Sequence, residues 1–290
     1  MSFAPLLLVV LAAFIHATWN LLAKKAADVG PTFVFAYNLV CCVVYAPWVV
    51  WLMAHETVPM SGLAIGFILL SGCIHLAYSL CLQQGYRAAD LSIVYPVARG
   101  TGPLLSSLGA FLLLGEHPSS AGLVGLLAVV AGILMICTQG RLSVFMQPGG
   151  SNGLRWGLAT GSLIAIYTVS DAYAVGTLGI QPVILDWFSN LLRFILLAPV
   201  VLRDRAGFRT RMKGHWRLAV GVGVLSPLSY ILVLTALRMD APLSLVAPAR
   251  EMSMMVGALF GMVFLREPVG PWRLAGCLAV IAGVVLLGMA

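Results

Sequence analysis

Three arginines and three acids stand inside stretches that are otherwise apolar: Arg99, Arg193 and Arg250, with Asp171, Asp186 and Glu251. A charge at the centre of a bilayer costs roughly 2.5–3.5 kcal/mol on the insertion scale, so each group needs a counter-charge, water or a solute. Their formal charges cancel, so three internal salt bridges would be one arrangement. A polar binding site would use the same groups, and the two arrangements are compatible. Guanidinium groups hold carboxylate or phosphate in bidentate geometry, so three interior arginines and no interior lysine predict an anionic or zwitterionic ligand.

Arg99 and Glu251 carry the most weight. Arg99 lies eight residues past Leu91, and Glu251 eight past Leu243. At about 1.5 Å per residue each is roughly 12 Å along its helix, near the midplane of a ~30 Å core. Both follow a proline, Pro96 and Pro248, which removes a backbone donor and makes a candidate hinge. Glu251 is the expected proton-coupling acid, because desolvation favours its neutral form and neighbouring arginines its charged form. Asp171 is the second choice.

Two polar stripes accompany them. Asp186, Asn190 and Arg193 are spaced i, i+4, i+7 and share one helical face. Asp186 opens its span, so complementing the helix N-terminus is its plainer expectation. His16 and Asn20 are four apart, with Trp19 beside them as an expected interfacial anchor. Tyr95 and Tyr230, with His75 and Tyr78 behind them, could wall a cavity for a small amphipathic solute. Ordinary packing is the competing expectation for each.

The elements that must position these groups follow from composition. Of the 290 residues 61% are hydrophobic and 9% charged, with a mean hydropathy of +1.00. Soluble domains carry about 25% charged residues, so the solvent implied is lipid. The net charge of +7 does not indicate nucleic acid, because the basic residues sit between apolar spans. No Lys or Arg precedes the first span, which reads as a membrane helix and not a cleaved leader. Six cysteines all fall in apolar spans, which fits packing and neither disulfides nor metal.

Ten apolar spans can be read, at 5–22, 33–53, 63–82, 91–114, 122–137, 156–175, 183–201, 218–237, 243–264 and 272–289. Backbone groups must satisfy one another in lipid, so all are expected to be helices. A polar segment at 138–152 reads as a linker between halves at 1–137 and 153–290. A shift of 151 lays Glu116 on Glu267, Arg99 on Arg250, Pro31 on Pro182, and Gly125 and Gly132 on Gly276 and Gly283. The same shift lays His16 on Tyr167 and Asn20 on Asp171. A shift of 152 lays Leu91, Ser92, Val94 and Pro96 on Leu243, Ser244, Val246 and Pro248. Five is odd, so the second copy enters from the opposite side. The expected fold is an all-α integral membrane protein of ten helices as two inverted five-helix repeats, the architecture of alternating-access transporters. Small-residue pairs at Gly62/Gly66, Gly157/Gly161 and Gly257/Gly261 are expected to bring helices close.

The chain resembles the EamA type of the drug/metabolite transporter superfamily. The resemblance rests on His16-Ala17-Thr18-Trp19-Asn20, on Glu116 and Glu267, and on the glycine pairs of the fifth and tenth spans. It covers nearly the whole chain and implies transport of small solutes, with export the common direction. Many members keep both termini in the cytoplasm. Here thirteen Lys and Arg lie in the loops after the odd-numbered spans, and only Arg238 lies in the others. The positive-inside rule therefore places both termini outside.

There is no HExxH, GxSxG or phosphate loop, no cofactor is indicated, and an enzyme is not expected. The expected function is secondary, proton-coupled export of a small anionic or zwitterionic metabolite, such as an amino acid, across a bacterial inner membrane. A membrane-embedded enzyme or a lipid-linked substrate flippase is the alternative, and a channel is a third reading.

Overall fold

The computed structural model describes residues 3–56, 61–89, 91–117, 119–146, 150–257 and 270–289. Helices account for nearly all of them, and they contain no strand. In chain order these are α1 (Phe3–Lys24), α2 (Pro31–His55), α3 (Gly62–Ala88), α4 (Leu91–Leu113) and α5 (Ser120–Thr138). There follow α6 (Gly150–Gly176), α7 (Pro182–Leu202), α8 (Arg205–Met212), α9 (Trp216–Arg238), α10 (Leu243–Arg250) and α11 (Pro271–Met289). The expected span 243–264 is described to residue 257, so Gly261, Arg266 and Glu267 lie outside the described residues.

The helix starts have local causes. Ser61, Ser119 and Asp204 accept, through their side chains, the backbone N–H three residues on. Pro31 and Pro182 open α2 and α7, where a missing N–H costs nothing. Among the described residues eight helices are long and apolar enough to cross a membrane. They are all but α4, α8 and α10. The 23-residue α4 is long enough, but it carries Arg99, two prolines and three serines in its apolar run.

The segment 203–217 is dense in positive charge. It holds α8, a short helix that lies on the bundle with Met212 buried and Arg205, Arg209 and Arg211 exposed. Between α5 and α6 a 3-10 turn occupies Leu142–Met146, and α6 begins at Gly150.

The main packing runs between the halves. α5 lies against α11, α4 against α6 and α10, α1 against α9 and α10, α3 against α6 and α7, and α2 against α7 and α9. Exchanging α1 with α6, α2 with α7, α3 with α9, α4 with α10 and α5 with α11 carries this set of contacts onto itself.

The closest seam is α5 on α11. A Cβ on Gly132 would stand 2.7 Å from Gly276 O, and one on Gly276 would stand 2.7 Å from Gly132 O. Gly125 and Gly283 repeat the arrangement at 2.8 and 2.7 Å. The two backbones touch, and only glycine fits. Gly157 and Gly161 likewise bring α6 onto α4, each with a main-chain oxygen 3.0 Å from a would-be Cβ. Two other expectations fail. A Cβ at Gly62, Gly66 or Gly257 meets nothing within 4 Å, so these glycines draw no helix close among the described residues.

Gly132→Ala and Gly276→Ala should each destabilise the purified protein by about 1–3 kcal/mol, because the neighbour that must move is backbone. Gly66→Ala should be neutral or slightly stabilising, since it adds helix propensity in open space. Thermal unfolding in one detergent measures all three, and equal behaviour would refute the seam.

Candidate functional site

Glu251 lies at a break in the ninth span. α10 ends at Arg250, and helix resumes at 252–257. The Glu251 N–H donates to Pro248 O at 3.0 Å, a tightened turn three residues past the proline. The candidate hinge at Pro248 thus precedes an actual interruption. α4 runs unbroken through Pro96, so the matching proline makes none.

Glu251 is 1% exposed and faces two guanidiniums. Arg99 Nη2, from α4, lies 2.8 Å from its Oε2, and Arg250 Nε lies 3.7 Å from its Oε1. Both contacts are ion pairs outside hydrogen-bond geometry. Arg99 Nη2 also donates to Ser253 Oγ at 3.1 Å, and its guanidinium sits 5.9 Å from the centre of the Tyr95 ring. Arg250 is 4% exposed and donates no side-chain hydrogen bond to the described residues. α10, which carries it, packs against α6 and α9, which carry Tyr167 and Tyr230, and against α1, which carries His16.

Asp171 on α6 stands apart from the arginines. It is 1% exposed. Tyr230 Oη donates to its Oδ2 at 2.6 Å, and His75 Nε2 lies 3.2 Å from the same oxygen. Its Oδ1 has no partner among the described residues. His75 stacks on Tyr167 at 3.9 Å between ring centres, and Tyr78 and Tyr230 meet Tyr167 edge-on. Three helices, α3, α6 and α9, therefore converge on one carboxylate.

The stripe on α7 closes on itself. Asn190 Nδ2 donates to Asp186 Oδ2 at 2.9 Å, and Arg193 Nη2 donates to Asn190 Oδ1 at 2.8 Å. The expected role of Asp186 at the helix N-terminus is not seen, since its side chain is 5% exposed and turns along the helix to Asn190. Arg193 and Asn190 do not join Glu251, Arg99 and Arg250. Asn20 is half-buried and shares no side-chain hydrogen bond with either cluster. Trp19 donates to Ser229 Oγ of α9 at 3.2 Å, a contact between helices.

Three separate salt bridges are thus not formed. Two arginines share one glutamate, one aspartate has only a phenol and an imidazole, and Arg193 reaches Asp186 through an amide. Sequence reasoning missed Ser253, which accepts from Arg99, and Asn38, which is fully buried with neither side-chain atom hydrogen-bonded to the described residues. It also missed what Glu116 does. Its carboxylate accepts the Leu243 and Ser244 N–H groups at 2.5 and 3.0 Å, capping α10 from the α4–α5 connection. A cavity of about 200 Å³ opens beside this cap, lined by Phe111, Glu116, His117, Ser119, Pro242 and Ser244 among others, and the interior arginines do not line it.

Comparison with known proteins agrees with this architecture. The model of the EamA-like transporter family matches residues 4–138 and again residues 151–289. The multidrug resistance protein EbrB of Bacillus subtilis (strain 168) is 36% identical over 78 residues, which are 27% of this chain and 60% of that one. EbrB of Bacillus atrophaeus matches to the same extent. The chain therefore spans less than two thirds of the length of these relatives. A crystal structure of another protein superposes with a TM-score of 0.78 at 15% identity, covering 100% of this chain and 98% of the other. At that identity the likeness concerns the fold alone.

Glu251→Gln should destabilise the protein by about 3–5 kcal/mol, because it strands two buried guanidiniums. Asp171→Asn should cost less, since its amide still accepts from Tyr230 and no arginine loses a counter-charge. Thermal unfolding of the two variants side by side tests the order, and a milder Glu251→Gln would show that the arginines find other partners.

Proposed function

We propose, for a chain that belongs to the EamA-like transporter family, a secondary active transporter that exports a small anionic or zwitterionic solute in exchange for protons by alternating access. The family and the eight apolar helices make it a multi-pass membrane transporter and point away from an enzyme. The reading assigns ten spans, two inverted five-helix repeats at 1–137 and 153–290, and a linker at 138–152. The doubled family match and the exchange-symmetric packing support that division.

The observation that carries the substrate class is the pair Arg99 and Arg250 on the single carboxylate of Glu251. A solute carboxylate or phosphate would restore the balance. A cationic solute fits this cluster poorly, and the matches to the multidrug resistance protein EbrB cover only 27% of the chain. Arg99, Arg250, Tyr95 and His16 form the proposed anion site. Tyr230 lies at its edge, while Arg193, Asn190 and Asn20 stand further off.

Glu251 and Asp171 are the two acids proposed for coupling, and the contacts favour Asp171. Protonating Glu251 would strip two guanidiniums of their counter-charge. Protonating Asp171 strips none, because its partners are Tyr230 and His75.

Protein reconstituted in liposomes should take up labelled amino acids or carboxylates without ATP, faster under an imposed pH gradient. Asp171→Asn should keep exchange and lose the response to the gradient. An ATP requirement, or turnover of a lipid in detergent, would sink the transporter reading. A gradient response intact in Asp171→Asn would return coupling to Glu251.

Orientation is a separate proposal. The charge bias puts both termini outside, and α8, with its exposed arginines, in the cytoplasm of a bacterial cell. A cysteine placed at Thr210 should resist an impermeant maleimide in intact cells and react after lysis. Rapid labelling in intact cells would invert the topology.

A further inference from the structure

Resting on the transport reading above, we infer that the interior site is bipolar and takes a zwitterion, with the ammonium group on Asp171 and the carboxylate on Arg250. The interior charges are neutral in sum but unevenly placed. Two guanidiniums share Glu251, which leaves a positive excess at Arg99 and Arg250. Asp171 has no arginine, which leaves a negative excess on α6. The Asp186–Asn190–Arg193 chain is internally balanced and corrects neither.

Each pole has open bonding capacity. Asp171 Oδ1 is buried and accepts no hydrogen bond from the described residues, and Arg250 Nε, 3.7 Å from Glu251 Oε1, donates none to them. The two poles lie on helices that pack together. Tyr230 donates to Asp171, Tyr167 stacks on His75, and α10, which carries Arg250, packs against α6 and α9, which carry these tyrosines. Tyrosine faces around a carboxylate suit an alkylammonium group, which gains from the ring quadrupole as well as from the acid. A simple anion would satisfy Arg250 and leave Asp171 as it is. A simple cation would do the reverse. Only a solute with both charges meets both poles, and it adds no net charge to a low-dielectric interior.

The test uses the full chain in lipid nanodiscs and three matched probes for each of several amino acids: the amino acid, its N-acetyl derivative and its decarboxylated amine. Binding is read by calorimetry. At least one amino acid should bind, and both of its derivatives should bind about tenfold more weakly or worse, the loss expected for one charge-assisted contact. Asp171→Asn should bind the amino acid and its N-acetyl derivative alike, and Tyr230→Phe should show a smaller loss of discrimination. Equal binding of amino acid and N-acetyl derivative by the unmodified protein overturns the ammonium pole, whatever the variants do. Carboxylates that bind and are transported while no amino acid binds would also overturn it, and would leave the transport reading standing. If no probe binds and none crosses liposomes, both fail.

Discussion

The constraint on which the rest depends is the cost of holding Arg99 away from water. The arginine sits on α4, in the first half of the chain, and its counter-ion Glu251 follows α10, in the second. A buried ion pair of this kind seldom adds stability over an apolar substitute, but breaking it is expensive. Its consequence is therefore register. α4 can cross α10 at one height only, the height that places the guanidinium 2.8 Å from the carboxylate. The interruption after Arg250 fits this demand, because a tightened turn sets Glu251 between two arginines instead of one.

Other contacts hold this crossing from outside. Glu116 caps the first residues of α10 from the α4–α5 connection, so the first half grips the second at the start of α10 as well as at its end. Gly157 and Gly161 let α6 lie on α4 close enough for main-chain contact, and α6 carries Tyr167 and Asp171. The glycine seam of α5 and α11 has no polar side chain and no slack, and it forms a rigid edge. Tight apolar seams and a few costly polar contacts divide the work: the first set the distances between helices, the second set their heights.

Much of this was legible in the sequence, for reasons of cost. Lipid leaves the backbone no choice but helix, so spans show as apolar runs, and α8 does not, because a short surface helix rich in arginine obeys no such rule. Buried charges were legible because they are rare. Their partners were less so. Spacing along one helix identifies a shared face, and the Asp186–Asn190–Arg193 chain does lie on one. Spacing does not say which face of another helix will meet it. Asp171, His75 and Tyr230 come from α6, α3 and α9, and their meeting depends on helix rotation, which apolar runs do not encode. The same limit explains the small-residue pairs. Gly62/Gly66 and Gly125/Gly132 look alike in sequence, but only the second pair faces a backbone, because contact needs a partner that is also small.

The uneven placement of the interior charges follows from those rotations. Had α6 turned Asp171 toward Arg250, three acids would have met three arginines and the interior would be electrostatically complete. Instead Asp171 has Tyr230 and His75 as its partners, and neither is an arginine. Such a group gains from a cation more than a paired acid can, and Arg250 gains from an anion for the same reason. An interior neutral in sum tolerates burial, and one polarised in arrangement retains affinity for a polar solute. Completing the pairing would stabilise the empty protein and remove that affinity. The unpaired arrangement is thus the form in which buried charge can serve both fold and binding, and it places the demand for a ligand at the crossing of α4, α6 and α10.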